Sequence, residues 1–230
     1  MKYSNVCEGK FIERPNRFIA YVELAGKREV CHVKNTGRCR ELLVSGCTVY
    51  LTRSHNPARK TAYDLIAVQK GGRLINMDSQ LPNAAAFRWI ASDKEALGIK
   101  ELRREVSHGS SRFDLWGVKK DGREFFIEVK GVTLEDKSIV RFPDAPTERG
   151  VKHVEELARC VEEGYGAAIL FVIQMEDVAW FEPNWDTHPA FGEALIRAKK
   201  AGVVIKAVRC RVKPDEMYIL DEVEVRLDKP

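Results

Sequence analysis

Several common signatures are missing from this sequence of 230 residues. No apolar run reaches 18 residues, so no transmembrane helix is expected. The stretch MKYSNVCEGKFIERP carries charges where a signal peptide needs an apolar core, and we therefore expect a cytoplasmic protein with no membrane partner. The GxGxxG, P-loop and GxSxG motifs are also missing, which argues against a nucleotide cofactor and against a serine-hydrolase triad.

Disulfide and zinc patterns are missing as well. None of the six cysteines forms a CxxC pair, and no histidine pair lies nearby at zinc-finger spacing. We expect reduced, mostly buried thiols, with one disulfide as the alternative that would suit a hyperthermophilic source. The formal charge of +4 is compatible with a nucleic-acid partner but does not by itself indicate one.

Short strands separated by turns dominate residues 1–80. Alternating patterns rich in β-branched and aromatic residues predict strands at 17–24, 28–35, 47–54 and 62–70, with one helical turn at 39–46. Glycine, proline and asparagine mark the turns between them. Four or five short strands in about 75 residues indicate a small barrel, and the OB-fold is the natural candidate.

The pattern changes near residue 80, where we place a domain boundary. The remaining segment, 81–230, alternates helices with strands, which predicts an α/β domain with a mixed sheet. Its predicted strands are 112–118, 124–130, 137–142, 167–175 and 203–212, and its predicted helices are 84–97, 147–164 and 189–202. Asn83 and Thr147 are the expected N-caps of the first two helices, and Gly164 is expected to end the second.

Two of these strands carry three charges in otherwise apolar runs. If Lys120, Asp121 and Gly122 form a three-residue hairpin loop, antiparallel counting places Asp114 opposite Glu128. Lys130 then joins them, because residues two apart on a strand share a face. The other face would carry the apolar residues Phe113, Leu115, Phe125, Ile127 and Val129.

Two opposed carboxylates repel each other, so a cation is expected between them. Lys130 can supply part of that charge, and a divalent cation such as Mg²⁺ or Mn²⁺ would supply more. Asp114 followed by Glu128-Val129-Lys130 resembles the PD-(D/E)xK nuclease signature, in which these three residues are catalytic and the two acids hold the metal. The alternative is a surface salt-bridge cluster on a hairpin.

Basic residues form two further groups of candidate nucleic-acid contacts. Arg149, Lys152 and His153 occupy the first turns of a predicted helix, where cations oppose the helix dipole unless a phosphate docks there. The second group lies in the loops and strand ends of the predicted barrel, beside Phe18 and Tyr50. The predicted contacts there and on the hairpin are Arg17, Arg38, Arg40, Arg53, Arg59, Lys60 and Arg112. Ordinary surface charge is the alternative for both groups.

Seven segments, in order along nearly the whole chain, resemble the sugar fermentation stimulation protein A family of bacteria and archaea. They are HVKNTGRCRELL, NPARKTAYDL, LPNAAA, SRFDLW, IEVKGVTL, FPDAPTERGVKHVEEL and ILFVIQ. The resemblance implies an OB-type domain, a nuclease-like domain and DNA binding, and it implies regulation of sugar-utilisation genes. It also implies that Glu105 gives an additional metal contact. Gly131 departs from the expected small polar residue, a change expected to affect backbone freedom more than chemistry.

Two functions remain open. The first is a metal-dependent DNA nuclease with Asp114, Glu128 and Lys130 in the active site. Such a nuclease could act as a homodimer. The second is a DNA-binding regulator that keeps a nuclease scaffold without using it. A third hypothesis is an enzyme of sugar metabolism, but nothing in the sequence resembles a sugar site.

Overall fold

The first third of the chain forms a barrel in the computed structural model, which describes residues 1–35, 37–54, 58–109 and 111–229. Thr36, His55–Pro57, Ser110 and Pro230 lie outside the described residues, and they include parts of the quoted NTGR and NPARK segments. The strands are β1 (Val6–Glu13), β2 (Ile19–Leu24), β3 (Lys27–Val33), β4 (Thr48–Arg53), β5 (Tyr63–Lys70) and β6 (Arg73–Asn76). Their order is β3-β2-β1-β4-β5-β6, and pairing of β3 with β5 closes a five-stranded, OB-like barrel.

The four predicted strands of this barrel are confirmed, because their alternating apolar residues point into its core. Ala20 and Val22 of β2 and Val49 and Leu51 of β4 are all fully buried. The sequence reading missed β1 and β6. β1 passes so close to β2 that a Cβ on Gly9 would lie 2.6 Å from Val22 Cγ1, and a glycine-containing strand of this kind carries a weak strand signal.

The rest of the chain builds a nine-stranded mixed sheet, as the alternation of helices and strands predicted. Its strands are β7 (Ile99–His108), β8 (Ser111–Lys119), β9 (Glu124–Val132), β10 (Leu134–Asp136), β11 (Ile139–Phe142), β12 (Gly166–Ile173), β13 (Trp180–Pro183), β14 (Val204–Lys213) and β15 (Glu216–Val225). The order is β10-β11-β13-β15-β14-β12-β9-β8-β7, with β12 parallel to both β9 and β14. The central position of β12 explains its continuous apolar run.

Helices cover both faces of this sheet. They are α1 (Leu81–Ser92), α2 (Glu148–Glu162) and α3 (Pro189–Ala201). The α1 helix packs on one face with Leu115, Ile127 and Val129. The α2 and α3 helices pack together on the other face, over Phe126 and Phe171.

The predicted helix ends are confirmed for α2 and corrected for α1. Thr147 Oγ1 accepts a hydrogen bond from the Gly150 amide at 3.0 Å, which is the expected N-cap. The α1 helix begins at Leu81 rather than after Asn83, since Pro82 suits the first turn of a helix. Asn83 therefore lies inside the helix, and its side chain is available for another contact.

Polar contacts, some of them buried, join the barrel to the mixed sheet. Lys70 and Arg73 of the barrel both contact Glu135, and Asn76 contacts Gln174. The division of the chain at residue 80 stays a prediction. All six cysteines are free thiols, as expected. Among the described residues, no helix is long and apolar enough to cross a membrane.

Candidate active site and nucleic-acid interface

The charged hairpin forms with the predicted turn and register. Strands β8 and β9 pair from Leu115–Ile127 to Val118–Glu124. The Lys119 amide donates to the Arg123 carbonyl at 2.8 Å, and Gly122 has a φ of +87°. Glycine tolerates that left-handed conformation, and this is why a three-residue loop ending in glycine fixes the register.

The regular backbone pairing of β8 with β9 ends at Leu115 and Ile127, next to Asp114. At Asp114 the side chain, rather than the backbone, makes the contact with β9. Asp114 Oδ2 accepts a hydrogen bond from the Val129 amide at 2.7 Å, and Oδ1 accepts one from Asn83 Nδ2 at 2.6 Å. Asn83 therefore orients this carboxylate from the start of α1. The sequence reading missed this role, because it assigned Asn83 to capping.

The predicted faces of the hairpin need one correction. Leu115, Ile127 and Val129 pack under α1 as expected. Phe113 instead joins the core on the α2 side, where its ring lies 5.0 Å from that of Phe126. The alternation fails at this point because the ladder is interrupted at Asp114. Both faces of the hairpin are thus covered by helices.

Glu128 is the most buried member of the charged cluster, with 3% of its side chain exposed. Its Oε1 accepts a hydrogen bond from Lys130 Nζ at 2.6 Å and contacts His153 Nδ1 on α2. Its Oε2 is buried and has no hydrogen-bond partner among the described residues. Burial raises the pKa of Glu128, but the contacts with His153 and Lys130 outweigh it and hold the pKa below its usual value.

The pKa of the second carboxylate, that of Asp114, is shifted in the opposite direction. Burial, followed by the negative charge of Glu128, raises the pKa of Asp114 above its usual value despite its two hydrogen bonds. The negative charge of Glu128 thus disfavours ionisation of Asp114, and one oxygen of Glu128 lacks a donor among the described residues. Carboxylate oxygens in this state fit a hard divalent cation such as Mg²⁺ or Mn²⁺.

Glu105 does not join these two acids. Its side chain is exposed and forms an ion pair with Arg112, another predicted nucleic-acid contact. Within the described parts of the chain, no three His, Cys, Asp or Glu side chains lie close enough together to hold a metal. Glu105 therefore forms no three-acid cluster with Asp114 and Glu128, since it is an exposed charge on edge strand β7 that pairs with Arg112 of β8, and its role as a further metal contact stays a prediction.

A groove of about 830 Å³ lies at one end of the barrel and gathers three of the predicted basic residues. Arg17, Arg38 and Arg40 line it and are exposed. Arg14 lines it too, and its guanidinium donates to four backbone carbonyls. These carbonyls belong to Arg17, Asn35, Gly37 and Arg38. Arg14 therefore shapes the wall of the groove on which the other arginines stand.

The remaining predicted contacts are placed differently. Arg59 donates two hydrogen bonds to the buried carboxylate of Asp64, at 2.6 and 3.0 Å, and so neutralises a core acid. Arg53 and Lys60 are exposed and are not among the residues lining the groove. Lys152 is exposed on α2, 3.6 Å from Glu156. His153, predicted as a nucleic-acid contact, is buried against Glu128, and that predicted contact stays a prediction.

The segment FPDAPTERGVKH, residues 142–153, connects the groove to the acid cluster. Asp144 Oδ2 accepts a hydrogen bond from the Arg38 amide at 3.1 Å, and Pro146 lines the groove. In the first turn of α2, Arg149 Nε donates to His153 Nε2 at 3.3 Å, and His153 contacts Glu128. The loop before α2 and the first turn of α2 thus connect the arginine-lined groove to the acid cluster.

Comparisons with known proteins cover both halves of the chain. The family model described as the SfsA N-terminal OB domain matches residues 12–77, and the sugar fermentation stimulation protein RE domain matches residues 80–216. The sugar fermentation stimulation protein homolog of Clostridium beijerinckii is 54% identical, over 99% of this chain and 100% of its own. The homolog of Desulfitobacterium hafniense is 52% identical over 99% of both chains.

A solved structure agrees with these matches. Pyrococcus furiosus SfsA in complex with Ca²⁺ superposes with a TM-score of 0.88, at 29% identity, over 98% of each chain. The match spans both the OB-like barrel and the mixed-sheet domain. The chain therefore belongs to the sugar fermentation stimulation protein family.

Proposed function

We propose that this protein is a divalent-metal-dependent DNA nuclease that hydrolyses phosphodiester bonds. The observation that carries the proposal is the state of Glu128. Among the described residues, its buried carboxylate has one oxygen with two donors and one oxygen with none, and the pKa of the second acid, Asp114, is raised. A merely structural buried acid would be expected to have both oxygens satisfied.

Asp114 and Glu128 are the residues that would hold Mg²⁺ or Mn²⁺. When bound, such an ion polarises the phosphate and lowers the pKa of a water molecule, which is the chemistry that phosphodiester hydrolysis needs. Asn83 and the Val129 amide hold Asp114 in place. Lys130, with 18% of its side chain exposed, keeps donors beyond the one given to Glu128, and these can steady a phosphate oxygen.

The DNA would be held by the groove at the end of the barrel. Arg17, Arg38 and Arg40 supply charge for phosphates, and Phe18, which is 51% exposed beside Arg17, supplies a stacking surface. The segment from Asp144 to Arg149 would lead the strand towards the acid cluster. The cleavage assay below distinguishes single-stranded, duplex and branched DNA as substrates. A homodimer stays a prediction.

A relative supports the metal part of the proposal. The Pyrococcus furiosus protein was solved in complex with Ca²⁺, and it matches this chain over nearly its whole length. Ca²⁺ and Mg²⁺ both take oxygen ligands, and Mg²⁺ needs fewer protein ligands because it keeps several waters. Two acids are therefore a suitable protein contribution for Mg²⁺.

The test is a cleavage assay with three proteins and two metals. The wild type, Glu128→Gln and Lys130→Met are incubated with labelled single-stranded, duplex and branched DNA, with Mg²⁺, with Mn²⁺ and with EDTA. We expect metal-dependent cleavage by the wild type, and a loss of at least about 100-fold in each variant. Equal cleavage by wild type and Glu128→Gln would show that the cleavage does not depend on the Glu128 carboxylate and would contradict the proposal.

A non-catalytic DNA-binding regulator is the second candidate. The arginine-lined groove favours it, because that surface needs no metal to bind phosphates. It predicts DNA binding by the wild type and by both variants, with no cleavage under any metal. The family name, sugar fermentation stimulation, fits such a regulator without requiring any contact with sugar.

A further inference from the structure

A chain of contacts runs from the protein surface to the buried acid Glu128. It begins at Arg149, which is exposed in the first turn of α2, and Arg149 Nε lies 3.3 Å from His153 Nε2. His153 Nδ1 in turn contacts Glu128 Oε1. Neither Arg149 nor His153 is part of the nuclease signature that led to Asp114, Glu128 and Lys130.

The contacts decide which nitrogen of His153 carries the hydrogen. A guanidinium can only donate, so His153 Nε2 must accept from Arg149. The hydrogen of the neutral ring then lies on Nδ1, from which it is donated to Glu128 Oε1. Since Lys130 donates to the same oxygen, both donors hold Oε1, and Oε2 has no donor in the part of the chain that the structure describes.

Arg149 has capacity for a second partner. Its two terminal nitrogens make no hydrogen bond or ion pair with any described residue, although Nε is engaged by His153. It also lies three residues beyond Pro146, a residue of the groove lining. A guanidinium held through Nε presents its other two nitrogens in the planar geometry that suits a phosphate.

We propose that Arg149 and His153 are positioning residues that present Glu128 Oε2 to a divalent cation and couple this to the binding of a backbone phosphate by Arg149. The inference rests on the proposed metal site at Asp114 and Glu128. Phosphate on Arg149 fixes the guanidinium, the guanidinium fixes the imidazole, and the imidazole fixes the carboxylate. Because binding linkage is reciprocal, metal at Glu128 strengthens phosphate binding equally.

A purely structural role for His153 makes a different prediction. It would fill space and satisfy a buried acid, and any folded variant would bind metal as the wild type does. His153→Asn separates the two contacts, because the asparagine amide can replace Nδ1 as donor to Glu128 but cannot reach Arg149. His153→Leu removes both contacts at similar volume.

The experiment measures Mn²⁺ binding by titration calorimetry, with and without a single-stranded phosphorothioate 15-mer that resists cleavage. We expect His153→Leu to weaken Mn²⁺ binding 10- to 100-fold and His153→Asn to stay within about 3-fold of wild type. The oligonucleotide should tighten Mn²⁺ binding at least 5-fold in the wild type, and not in His153→Asn or Arg149→Met. Lys199→Met, an exposed charge change on α3, should retain the whole effect.

The outcomes separate this inference from the proposed function. If Glu128→Gln binds Mn²⁺ as tightly as the wild type, the metal site itself is wrong and both proposals fail. If Glu128→Gln abolishes binding but a folded His153→Leu binds normally, only the positioning role is overturned. Should His153→Leu fail to fold, His153→Asn and Arg149→Met decide, because an oligonucleotide effect retained in both would overturn the coupling.

Discussion

Gly131 lies against the side chain of Gln174, so closely that a Cβ on this glycine would be 2.6 Å from Gln174 Oε1. The same Cβ would lie 2.8 Å from Pro82 Cγ at the start of α1. Gln174 cannot easily withdraw, since its amide nitrogen donates to Asn76 Oδ1 and to the Asp78 carbonyl in the interior. Gly131 is therefore constrained by space, and the expectation that this departure affects backbone freedom more than chemistry stays a prediction.

Replacing this glycine should lower stability. Gly131→Ala forces apart β9, α1 and Gln174, and overpacking of this kind costs about 1–3 kcal/mol of unfolding free energy. Urea unfolding followed by circular dichroism measures the loss. Gly72→Ala is the matched control, because a Cβ there meets nothing within 4 Å and its stability should change by less than about 1 kcal/mol. Equal midpoints for the two variants would contradict the close contact.

Asp114→Asn should make the protein more stable while removing its proposed metal binding. The raised pKa of Asp114 means that its negative charge is unfavourable in the folded state, chiefly through burial and then through Glu128. An asparagine can still accept from the Val129 amide, and Asn83 can turn its own amide to accept from the new donor. We expect a gain of about 0.5–2 kcal/mol, as is common when a strained functional group is neutralised.

Asp121→Asn serves as the control for that gain. Asp121 lies in the turn of the same hairpin, where hydrogen bonds from Arg123 lower its pKa, so removing its charge should bring no stabilisation. Thermal unfolding at neutral pH, combined with Mn²⁺ titration, measures both properties. Loss of stability in Asp114→Asn would mean that the carboxylate is a structural group rather than a metal ligand.

The predicted basic residues should divide into two groups when mutated. Arg40 is exposed in the groove, so Arg40→Ala should weaken DNA binding and reduce the slope of log affinity against log salt by roughly one. Arg59 neutralises buried Asp64, so Arg59→Ala should instead cost about 1–3 kcal/mol of stability. Fluorescence anisotropy with labelled DNA across a salt series, and urea unfolding, measure the two effects. Equal losses of affinity in both variants would contradict the division.

Local chemistry explains what could be predicted from the sequence. A three-residue loop with glycine last fixes the turn at Lys120–Gly122 and hence the register of β8 and β9. Thr147 caps α2 through a hydrogen bond that spans three residues. Both features depend on neighbours along the chain, and so they are visible as motifs.

Long-range contacts explain what could not. The exposed charges of edge strand β7 give a weak strand signal, and this strand went unrecognised. His153 and the exposed Lys152 are neighbouring polar residues, and the local sequence does not show which of them is buried. Only the packing of α2 on β9 shows that His153 is buried against Glu128. Asn83 reaches Asp114 across 31 positions of sequence, which no motif reports. The two acids could therefore be proposed from the sequence, whereas the groups that orient them are visible only in the folded structure.

The last prediction concerns the ion cluster that joins the two halves of the chain. Glu135 is buried, and it accepts hydrogen bonds from Lys70 at 2.9 Å and contacts Arg73 at 2.7 Å. Burial opposes its charge, but the hydrogen bonds from Lys70, the Ser138 amide and Arg73 outweigh it and lower the pKa of Glu135 to about 2. A lowered folded-state pKa means that the ionised group adds stability above the unfolded value of 4.5 and loses it as the pH falls towards 2.

Glu135→Gln should remove this pH dependence together with the stability. We expect a loss of about 3 kcal/mol at pH 7, since the variant leaves Lys70 and Arg73 without their shared buried acid. The difference between wild type and variant should shrink steadily between pH 4.5 and 2, as urea titrations at intervals of half a pH unit would measure. Glu193→Gln, on an exposed pair with Lys229, is the control and should show no such trend. A difference that stays constant with pH would mean that the charge of Glu135 does not hold the barrel to the mixed sheet.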